Sequence, residues 1–397
     1  MLDLQPDKNT SVFLDGDLSH AETQSAGGPR SVAATIDRSG WKRVRLGEVL
    51  KVCHGKCQHT VETKTGKYPI LATSGEIGRT NTYLYDKPSV LIGRKGTIDK
   101  PQYIDIPFWT IDTLFYTKIA EGYNPKFLYY LCLTIDWVSM NEASGVPSLS
   151  ANRIESFEIA IPDINEQDKI VHAMSSIDKH ILALEAIISK YEAIRKATVN
   201  LLLKPGEDCP SVRLGDVAKI FRGGSPRPIQ NYITEESTGI NWIKIGDVAT
   251  DAKYIKHTAE KIKPTGVQMS RQVKAGDFIL SNSMSFGRPY ILKIDGCIHD
   301  GWLAIQDYQE TFDVDYLYYL LGSDFVLAQY QTNAAGSSVK NLNKEIVSNI
   351  ILPQTPIPEQ HMIANQIATI DNALNDCRAQ LAKAQNLKNG LMSYFFG

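Results

Sequence analysis

The sequence contains a pair of basic residues, flanked by glycines, that could bind a polyanion such as a nucleic acid. Arg94 and Lys95 follow the apolar run 89–92 and lie between Gly93 and Gly96. Glycine lets a backbone approach a ligand closely, and arginine and lysine donate hydrogen bonds to phosphate and to guanine. The segment therefore predicts a DNA-contacting loop, and the alternative interpretation is an ordinary charged hairpin tip.

A loop with different side chains occupies the matching position in the second half of the chain. There, Asn282, Ser283 and Arg288 stand where the first half has its Arg-Lys pair. One framework would then present two kinds of hydrogen-bonding group, which is typical of two modules that recognise different base sequences.

Other glycine-rich or small polar segments have the same chemical character. Residues 74–79 and 222–227 offer backbone amides and arginines for phosphate contacts. Residues 144–150 and 336–343 are small and polar, which fits phosphate contacts and simple turns equally well. The predicted DNA-binding residues are Ser74, Gly75, Arg79, Arg94, Lys95, Gly96, Lys100, Arg222, Gly223, Gly224, Arg227, Lys244, Asn282, Ser283, Arg288 and Lys340.

Sequence motifs for catalysis and for cofactor binding are absent. The chain contains neither a phosphate-binding Gly-x-x-x-x-Gly-Lys-Ser/Thr loop nor a Gly-x-Gly-x-x-Gly turn after a strand. Cys53, His54, Cys57 and His59 are types that bind zinc, but an adjacent Cys-His pair is poorly spaced for a tetrahedral site. We predict no catalytic residue, no metal and no bound cofactor, and we expect that these cysteines pack or that these histidines face solvent or DNA.

Composition narrows the class of protein further. No window reaches the roughly 18 uninterrupted apolar residues of a membrane span, and no secretory signal opens the chain. Six cysteines in 397 residues are sparse, which favours a reducing compartment and a cytoplasmic location. Because the net charge is −2, DNA phosphates must be met by a local surface or by a partner subunit.

The elements that must position these loops occur twice. Three motifs recur, namely Val-Arg-Leu-Gly at 44–47 and 212–215, Leu-Tyr-Tyr-Leu at 128–131 and 317–320, and Glu-Gln at 166–167 and 359–360. Short apolar runs separated by glycine and proline predict strands joined by turns. Each unit is predicted to be α+β and mostly strand, with a helix at about 124–140 in the first unit and about 315–330 in the second.

A heptad of apolar residues follows each Glu-Gln pair and predicts a long helix with one apolar side. In the first helix, Asn165 is the predicted N-cap. The two seams predict an antiparallel coiled coil with a globular unit at either end, and the alternative is that each helix packs on its own domain. The seam residues are Ile170, Met174, Ile177, Ile181, Leu184, Ile188 and Tyr191, and then Ile363, Ile367, Ile370, Leu374, Cys377 and Leu381.

The predicted organisation is a tandem repeat behind an N-terminal extension that has no counterpart in the second copy. The predicted segments are the extension at 1–40, the first globular domain at 41–162, the first helix at 163–204, the second globular domain at 205–355 and the second helix at 356–397.

Taken in order, these motifs resemble the specificity subunit of a type I restriction-modification system. The resemblance covers residues 41–397. It rests on the duplicated Arg-Leu-Gly and Glu-Gln motifs, on Leu-Ile-Gly-Arg-Lys-Gly at 91–96, on Gly-Gly-Ser-Pro at 223–226 and on Trp-Ile-Lys-Ile-Gly-Asp at 242–247. The acidic extension at 1–40 departs from the family, in which this extension is short.

The resemblance implies a non-catalytic protein that binds double-stranded DNA. Each globular unit would be a target recognition domain for one half of a split, asymmetric site, and the helices would fix the gap between the halves. Two methyltransferase subunits, using S-adenosylmethionine, and ATP- and Mg²⁺-dependent restriction subunits would be its partners. Two alternatives stay open, namely a coiled-coil adaptor that does not recognise DNA and a stand-alone DNA methyltransferase.

Overall fold

The computed structural model describes residues 37–206, 208–249, 252–282, 287–334 and 342–397. The described chain divides into two compact units. The first comprises the residues up to Asp168 together with Leu391–Gly397, and the second comprises Lys169–Gly390.

The first unit consists mostly of short strands that end at glycine- and proline-rich turns. Its strands are β1 (Lys42–Arg45), β2 (Leu50–Cys53), β3 (Glu62–Thr63), β4 (Tyr68–Ala72), β5 (Gly75–Thr80), β6 (Ser89–Gly93), β7 (Gln102–Ile104), β8 (Trp109–Thr110), β9 (Leu114–Ile119) and β10 (Glu158–Ile161). Its short helices are α1 (Leu46–Val49), α2 (Pro125–Cys132) and α3 (Ala151–Glu155), and the long helix α4 (Ile164–Leu202) begins here.

The second unit repeats this order of elements with additions. Its strands are β11 (Ser211–Arg213), β12 (Lys219–Arg222), β13 (Ile233–Thr234), β14 (Ile240–Ile243), β15 (Tyr254–Ile255), β16 (Glu260–Ile262), β17 (Arg271–Val273), β18 (Phe278–Ser281), β19 (Pro289–Leu292), β20 (Gly296–Ile298), β21 (Trp302–Gln306) and β22 (Ile351–Pro353). Its helices are α5 (Leu214–Val217), α6 (Val314–Leu321), α7 (Asp324–Ala334), α8 (Lys344–Ser348) and most of the long helix α9 (Ile357–Phe396), and short 3₁₀ turns span Ile229–Asn231, Ile245–Asp247 and Pro264–Met269.

The sheets of the two units have the same strand order. The order β2-β9-β6-β7 of the first unit corresponds to β12-β21-β18-β19 of the second, where β15 extends the edge. The order β3-β5-β4-β8 likewise corresponds to β13-β16-β14-β20, with β17 added. The predicted fold class, two similar α+β units with two long helices, is confirmed.

The central strand of each first sheet is the most deeply buried part of its unit. Val90, Leu91 and Ile92 of β6 are fully buried, and so are the three residues 278–280 of β18. A continuous apolar run suits a strand that is covered on both faces. These two strands therefore hold the loops that follow them, at Arg94 and at Asn282, on a rigid base.

Two predicted helices are shorter than expected. The helix predicted for 124–140 ends at Cys132, where the buried Trp137 indole N–H donates to the Cys132 carbonyl at 2.8 Å. The helix predicted for 315–330 is interrupted after Leu321, because the Ser323 hydroxyl accepts from the Val326 N–H and starts a new helix. In both places a side chain takes over a backbone group that a continuous helix would use.

A buried glutamine connects each long helix to the short helix that precedes it in the fold. The Gln167 carbonyl accepts the N–H of Asn124 at 2.9 Å, and the Gln360 carbonyl accepts the N–H of Asp313 at 2.8 Å. Asn124 and Asp313 are the N-caps of α2 and α6. The duplicated Glu-Gln motif is therefore a structural joint that recurs in both units.

The N-cap of α4 differs from the sequence prediction, which chose Asn165. The carboxylate of Asp163 accepts the N–H groups of Asn165 and Glu166 at 2.9 and 3.0 Å, so Asp163 caps the helix. The Ile164–Leu202 helix thus begins one residue before Asn165.

Within the second unit, α4 and α9 pack side by side and run antiparallel. Lys388 pairs with Asp178 at 2.7 Å and Arg378 pairs with Glu192 at 2.7 Å, and a third ion pair joins Arg195 to Asp371. The partner's number falls as the residue number rises along α4, which is the pattern of antiparallel helices. The predicted seam residues are all buried or half-buried.

Candidate nucleic-acid interface

In the first unit, the Arg94 loop is fixed by a framework of backbone hydrogen bonds. The N–H of Arg94 donates to the Thr113 carbonyl at 2.9 Å, and the Arg94 carbonyl accepts the N–H of Leu149 at 3.0 Å. The guanidinium donates to the Asp112 carbonyl at 3.1 Å. The loop needs its glycines, because a Cβ on Gly93 would lie 2.1 Å from the Thr97 carbonyl oxygen.

The second unit builds the same framework around Asn282. Its N–H donates to the Gly301 carbonyl at 3.1 Å, and its carbonyl accepts the N–H of Leu342 at 2.9 Å. The Asn282 amide group donates to the Asp300 carbonyl at 3.1 Å. Arg94 and Asn282 therefore occupy one position in two copies of the fold, with different chemical groups on it.

A cavity of about 360 Å³ lies beside the Arg94 loop in the first unit. Arg94 and Lys95 line it together with His54 and with residues 148–152 around the start of α3. Two of the sequence-predicted segments, the basic loop and the small polar segment at 144–150, are thus brought together at one surface. His54 joins them from the end of β2.

The loops that follow β2 and β12 leave their sheets at equivalent points. A Cβ on Gly55 would lie 1.9 Å from the Ile111 carbonyl oxygen, and one on Gly223 would lie 2.0 Å from the His299 carbonyl oxygen. Only glycine permits so close an approach of two backbones. Arg222, which precedes Gly223, is exposed.

The carboxylate of Asp300 gathers three side chains in the second unit. Its oxygens accept the Ser225 hydroxyl at 3.0 Å and an Arg227 N–H at 3.0 Å, and they lie 2.9 Å from Nε2 of His299. Burial by itself would raise the pKa of Asp300, but the Ser225 hydrogen bond, His299 and Arg227 outweigh it and lower that pKa. The carboxylate is therefore ionised near neutral pH.

A larger cavity, of about 900 Å³, adjoins this network. Its walls are the loop 225–230 and the side chains of Trp242, Lys244, Glu260 and His299. Lys244 pairs with Glu260 at 2.6 Å. Ile233 of β13, Trp242 of β14 and Glu260 of β16 contribute to these walls, so the cavity mixes apolar and charged groups.

Comparison with known proteins agrees with this duplicated architecture. The sequence profile of the family described as "Type I restriction modification DNA specificity domain" matches residues 38–193 and again residues 206–384. The chain belongs to this family. Its predicted class, a specificity subunit rather than an enzyme, is confirmed by this membership.

Individual members of the specificity family are distant in sequence. The chain is 22% identical to the type I restriction enzyme EcoDI specificity subunit of Escherichia coli, over 90% of this chain and 88% of that protein. It is also 22% identical to the MjaVIII specificity subunit of Methanocaldococcus jannaschii, over 89% of this chain and 91% of that protein.

The fold is likewise that of the specificity family. The crystal structure of a type I S subunit from M. genitalium matches with a TM-score of 0.62 at 14% identity, covering 90% of this chain and 96% of that one. A second structure, from work on assembly and conformational transition of a type I system, matches with a TM-score of 0.56 at 17% identity, covering 90% of this chain and 98% of that one.

The other predicted DNA-binding residues of this family member are dispersed. Ser74 is exposed in the turn between β4 and β5, Gly75 has a φ of +104°, and Arg79 on β5 pairs with Glu76 at 2.9 Å. Lys100 is exposed beyond the Arg94 loop. Ser283 and Lys340 lie outside the described residues.

Arg288 lies in different surroundings from Asn282. Its guanidinium is 5.8 Å from the centre of the Tyr290 ring, and it lines a cavity of about 330 Å³ with Arg195, Tyr318 and Tyr319. The structure therefore places Arg288 towards the helices of its unit, whereas Asn282 stays with Asp300 and Gly301.

Two members of the candidate interface are absent from the predicted DNA-binding residues, namely Asp300 and His54, for which the sequence left both solvent and DNA open. His54 stands seven residues after Gly47, as Arg222 stands seven residues after Gly215, so the repeated motif marks the two positions as equivalent. Asp300 has no local signal, because its partner Ser225 is 75 residues away. Among the described residues, no three His, Cys, Asp or Glu side chains are grouped to hold a metal ion, and no helix is long and apolar enough to cross a membrane.

Proposed function

We propose that this specificity-family protein recognises a bipartite, asymmetric DNA site and holds the catalytic subunits of a type I restriction-modification complex. Each globular unit binds one half of the site through the loops around Arg94 or Asn282. The two long helices form the scaffold on which the methyltransferase subunits assemble.

One observation carries the proposal. The same framework of backbone hydrogen bonds holds Arg94 in one unit and Asn282 in the other. Arginine pairs with the O6 and N7 acceptors of guanine, whereas asparagine pairs with the N6 and N7 groups of adenine. Equivalent positions with different donors and acceptors support two half-sites of different sequence.

The dimensions of the long helices are compatible with a split site. α4 contains 39 residues, which at a rise of about 1.5 Å per residue corresponds to about 58 Å. One turn of B-DNA measures roughly 34–36 Å, so the helix is longer than one turn.

An exposed apolar row on α4 supports the scaffold role. The side chains of the row are Ile187, Ile194 and Leu201, which follow one another every seven residues and are exposed by 42%, 41% and 78%. Several large apolar side chains close together on a surface are typical of a protein–protein contact. We propose that this row meets helices of the methyltransferase subunits.

The roles assigned to the subunits also determine where the cofactors would bind. We propose that S-adenosylmethionine binds to the methyltransferase subunits and ATP with Mg²⁺ to the restriction subunits, with no cofactor on this chain. Because the net charge of the chain is −2, the partner subunits would supply much of the phosphate binding.

Mapping of methylated adenines tests the proposal directly. The chain is co-expressed with a type I methyltransferase subunit from the same genome, and the methylated positions in a random DNA library are sequenced. The expected result is one motif with two fixed half-sites and a constant gap between them. Methylation that ignores the presence of this chain would favour the adaptor alternative, and methylation by the chain alone would favour a stand-alone enzyme.

A further inference from the structure

Asp300 connects two loops that the sequence places far apart. Its carboxylate binds Ser225 and Arg227 of the glycine-rich loop, and its backbone carbonyl accepts the Asn282 amide group at 3.1 Å. A second bond runs the other way, from the Asp300 N–H to the Ser225 hydroxyl at 3.4 Å. One residue thus sets the position of the Arg227 loop relative to the Asn282 position.

Arg227 is held by this network and still faces solvent. Its side chain is 79% exposed, whereas the side chain of Asp300 is 30% exposed. A guanidinium has five N–H donors in a planar fork, and one N–H here binds Asp300. The remaining donors are available in a fixed orientation, which reduces the entropy that a flexible arginine loses on binding.

The charge around Arg227 favours an uncharged acceptor over a phosphate. The carboxylate of Asp300 offsets the positive charge of Arg227. His299 accepts the Gly301 N–H on Nδ1 at 2.9 Å, and its Nε2 lies 2.9 Å from the Asp300 carboxylate. A phosphate would be repelled by the nearby carboxylate, whereas the edge of a base carries no net charge.

We propose that Asp300 is a positioning residue for sequence recognition, which holds Arg227 so that its free N–H groups pair with the O6 and N7 atoms of a guanine in the second half-site. This inference rests on the proposed function. It assigns to the second unit a base contact on the loop 222–227, and it makes the orientation of Arg227 a determinant of specificity.

The first unit has other residues at these positions. Gly55 lies against the Ile111 carbonyl as Gly223 lies against the His299 carbonyl, and counting two and four residues on from these glycines matches Cys57 with Ser225 and His59 with Arg227. None of these three side chains carries a guanidinium or a permanent positive charge. The Asp300 network is therefore a feature of the second half-site alone.

The test is Asp300→Asn in the full chain, in complex with its methyltransferase, on a random DNA library. Asparagine keeps the shape of the side chain but removes the charge that orients Arg227. Preference for guanine at one position of the second half-site is expected to fall at least about fivefold, the lower end of the range for a good bidentate base contact. The first half-site and the gap should not change.

Two further variants distinguish the positioning of Arg227 by Asp300 from a general effect on the stability of the protein. Arg227→Lys keeps the positive charge but removes the planar fork, and it should relax the same base position as Asp300→Asn. Asp216→Asn removes an exposed carboxylate that pairs with Arg213 at 2.5 Å in the same unit, and it should leave every base preference unchanged.

Several outcomes would overturn the proposal. If both Asp300→Asn and Arg227→Lys leave guanine preference as in the wild type, Arg227 is not a base contact. If Asp300→Asn weakens binding to all sequences equally, Asp300 has a merely structural role, and a lower melting temperature would accompany it. If the wild-type complex itself has no two-part motif, the proposed function fails and this inference fails with it.

Discussion

At the scale of single residues, the two units carry different side chains at a position where their backbone hydrogen bonds are equivalent. Arg94 and Asn282 have equivalent backbone partners in their two units, and each side chain donates to the carbonyl of an equivalent aspartate, Asp112 or Asp300. The fold therefore fixes the position and the side chain varies. This is the condition under which a substitution at one position should affect one half-site only.

The first prediction concerns Arg94. If Arg94 pairs with guanine, Arg94→Ala should cost about 1–3 kcal/mol of binding free energy and relax one base position in the first half-site. If it contacts phosphate, all sequences should weaken alike and the slope of log affinity against log salt should fall by about one. Binding titrations at several salt concentrations and methylation mapping distinguish the two.

The matched variant for Arg94→Ala is Asn282→Ala, which removes the equivalent side chain from the second unit. It should change the second half-site and leave the first one as it is. If neither variant alters affinity or base preference, these two positions do not belong to the interface, and recognition would fall to the loops at 74–79 and 222–227.

At the scale of elements, each long helix is anchored to its own globular unit by a buried glutamine. The second prediction is that Gln360→Ala lowers the free energy of unfolding by about 1–3 kcal/mol, because it leaves the Asp313 N–H and the carbonyls of Thr311 and Thr355 without this partner. Chemical denaturation measures the change. The exposed Gln366 on the same helix provides the control, and Gln366→Ala should stay within about 0.5 kcal/mol.

The third prediction concerns the seam between α4 and α9. Leu374 is 4% exposed, so Leu374→Asp buries an unpaired charge at a cost of several kcal/mol. Ile181→Asp on the facing helix should act in the same direction. Thermal melting and co-purification with the methyltransferase are the measurements. Asn375→Asp, one residue along and exposed, is the control, and full stability together with full assembly in Leu374→Asp would contradict the packed seam.

The elements also show what the sequence can and cannot predict. Heptad spacing and buried apolar runs are local signals, and they predict the two long helices and the β6 and β18 strands. The end of α2 depends on Trp137 reaching back to Cys132, and the Asp300 network depends on contacts across 75 residues. Such contacts follow from tertiary structure, so a pattern along the chain does not reveal them.

At the scale of the whole molecule, duplication and specialisation occur together. The second unit extends both of its sheets by a strand and contains a cavity of about 900 Å³, while the joints at Gln167 and Gln360 are the same in both units. The two units have equivalent glutamine joints but different loop surfaces. This combination is expected if the two units bind similar partner subunits and different DNA sequences.

The fourth prediction is that a partner subunit, and not this chain, binds S-adenosylmethionine and transfers the methyl group. The sequence contains no phosphate-binding loop and no dinucleotide-binding turn, so the purified chain should release no heat of binding when titrated with S-adenosylmethionine at micromolar concentrations. The complex with the methyltransferase should bind it, and the methyltransferase alone is the control. Micromolar binding by the isolated chain would contradict the assignment of methyl transfer to a partner. Binding by the complex and by the methyltransferase but not by the isolated chain, together with a two-part methylation motif, would assign sequence choice to this chain and methyl transfer to its partner.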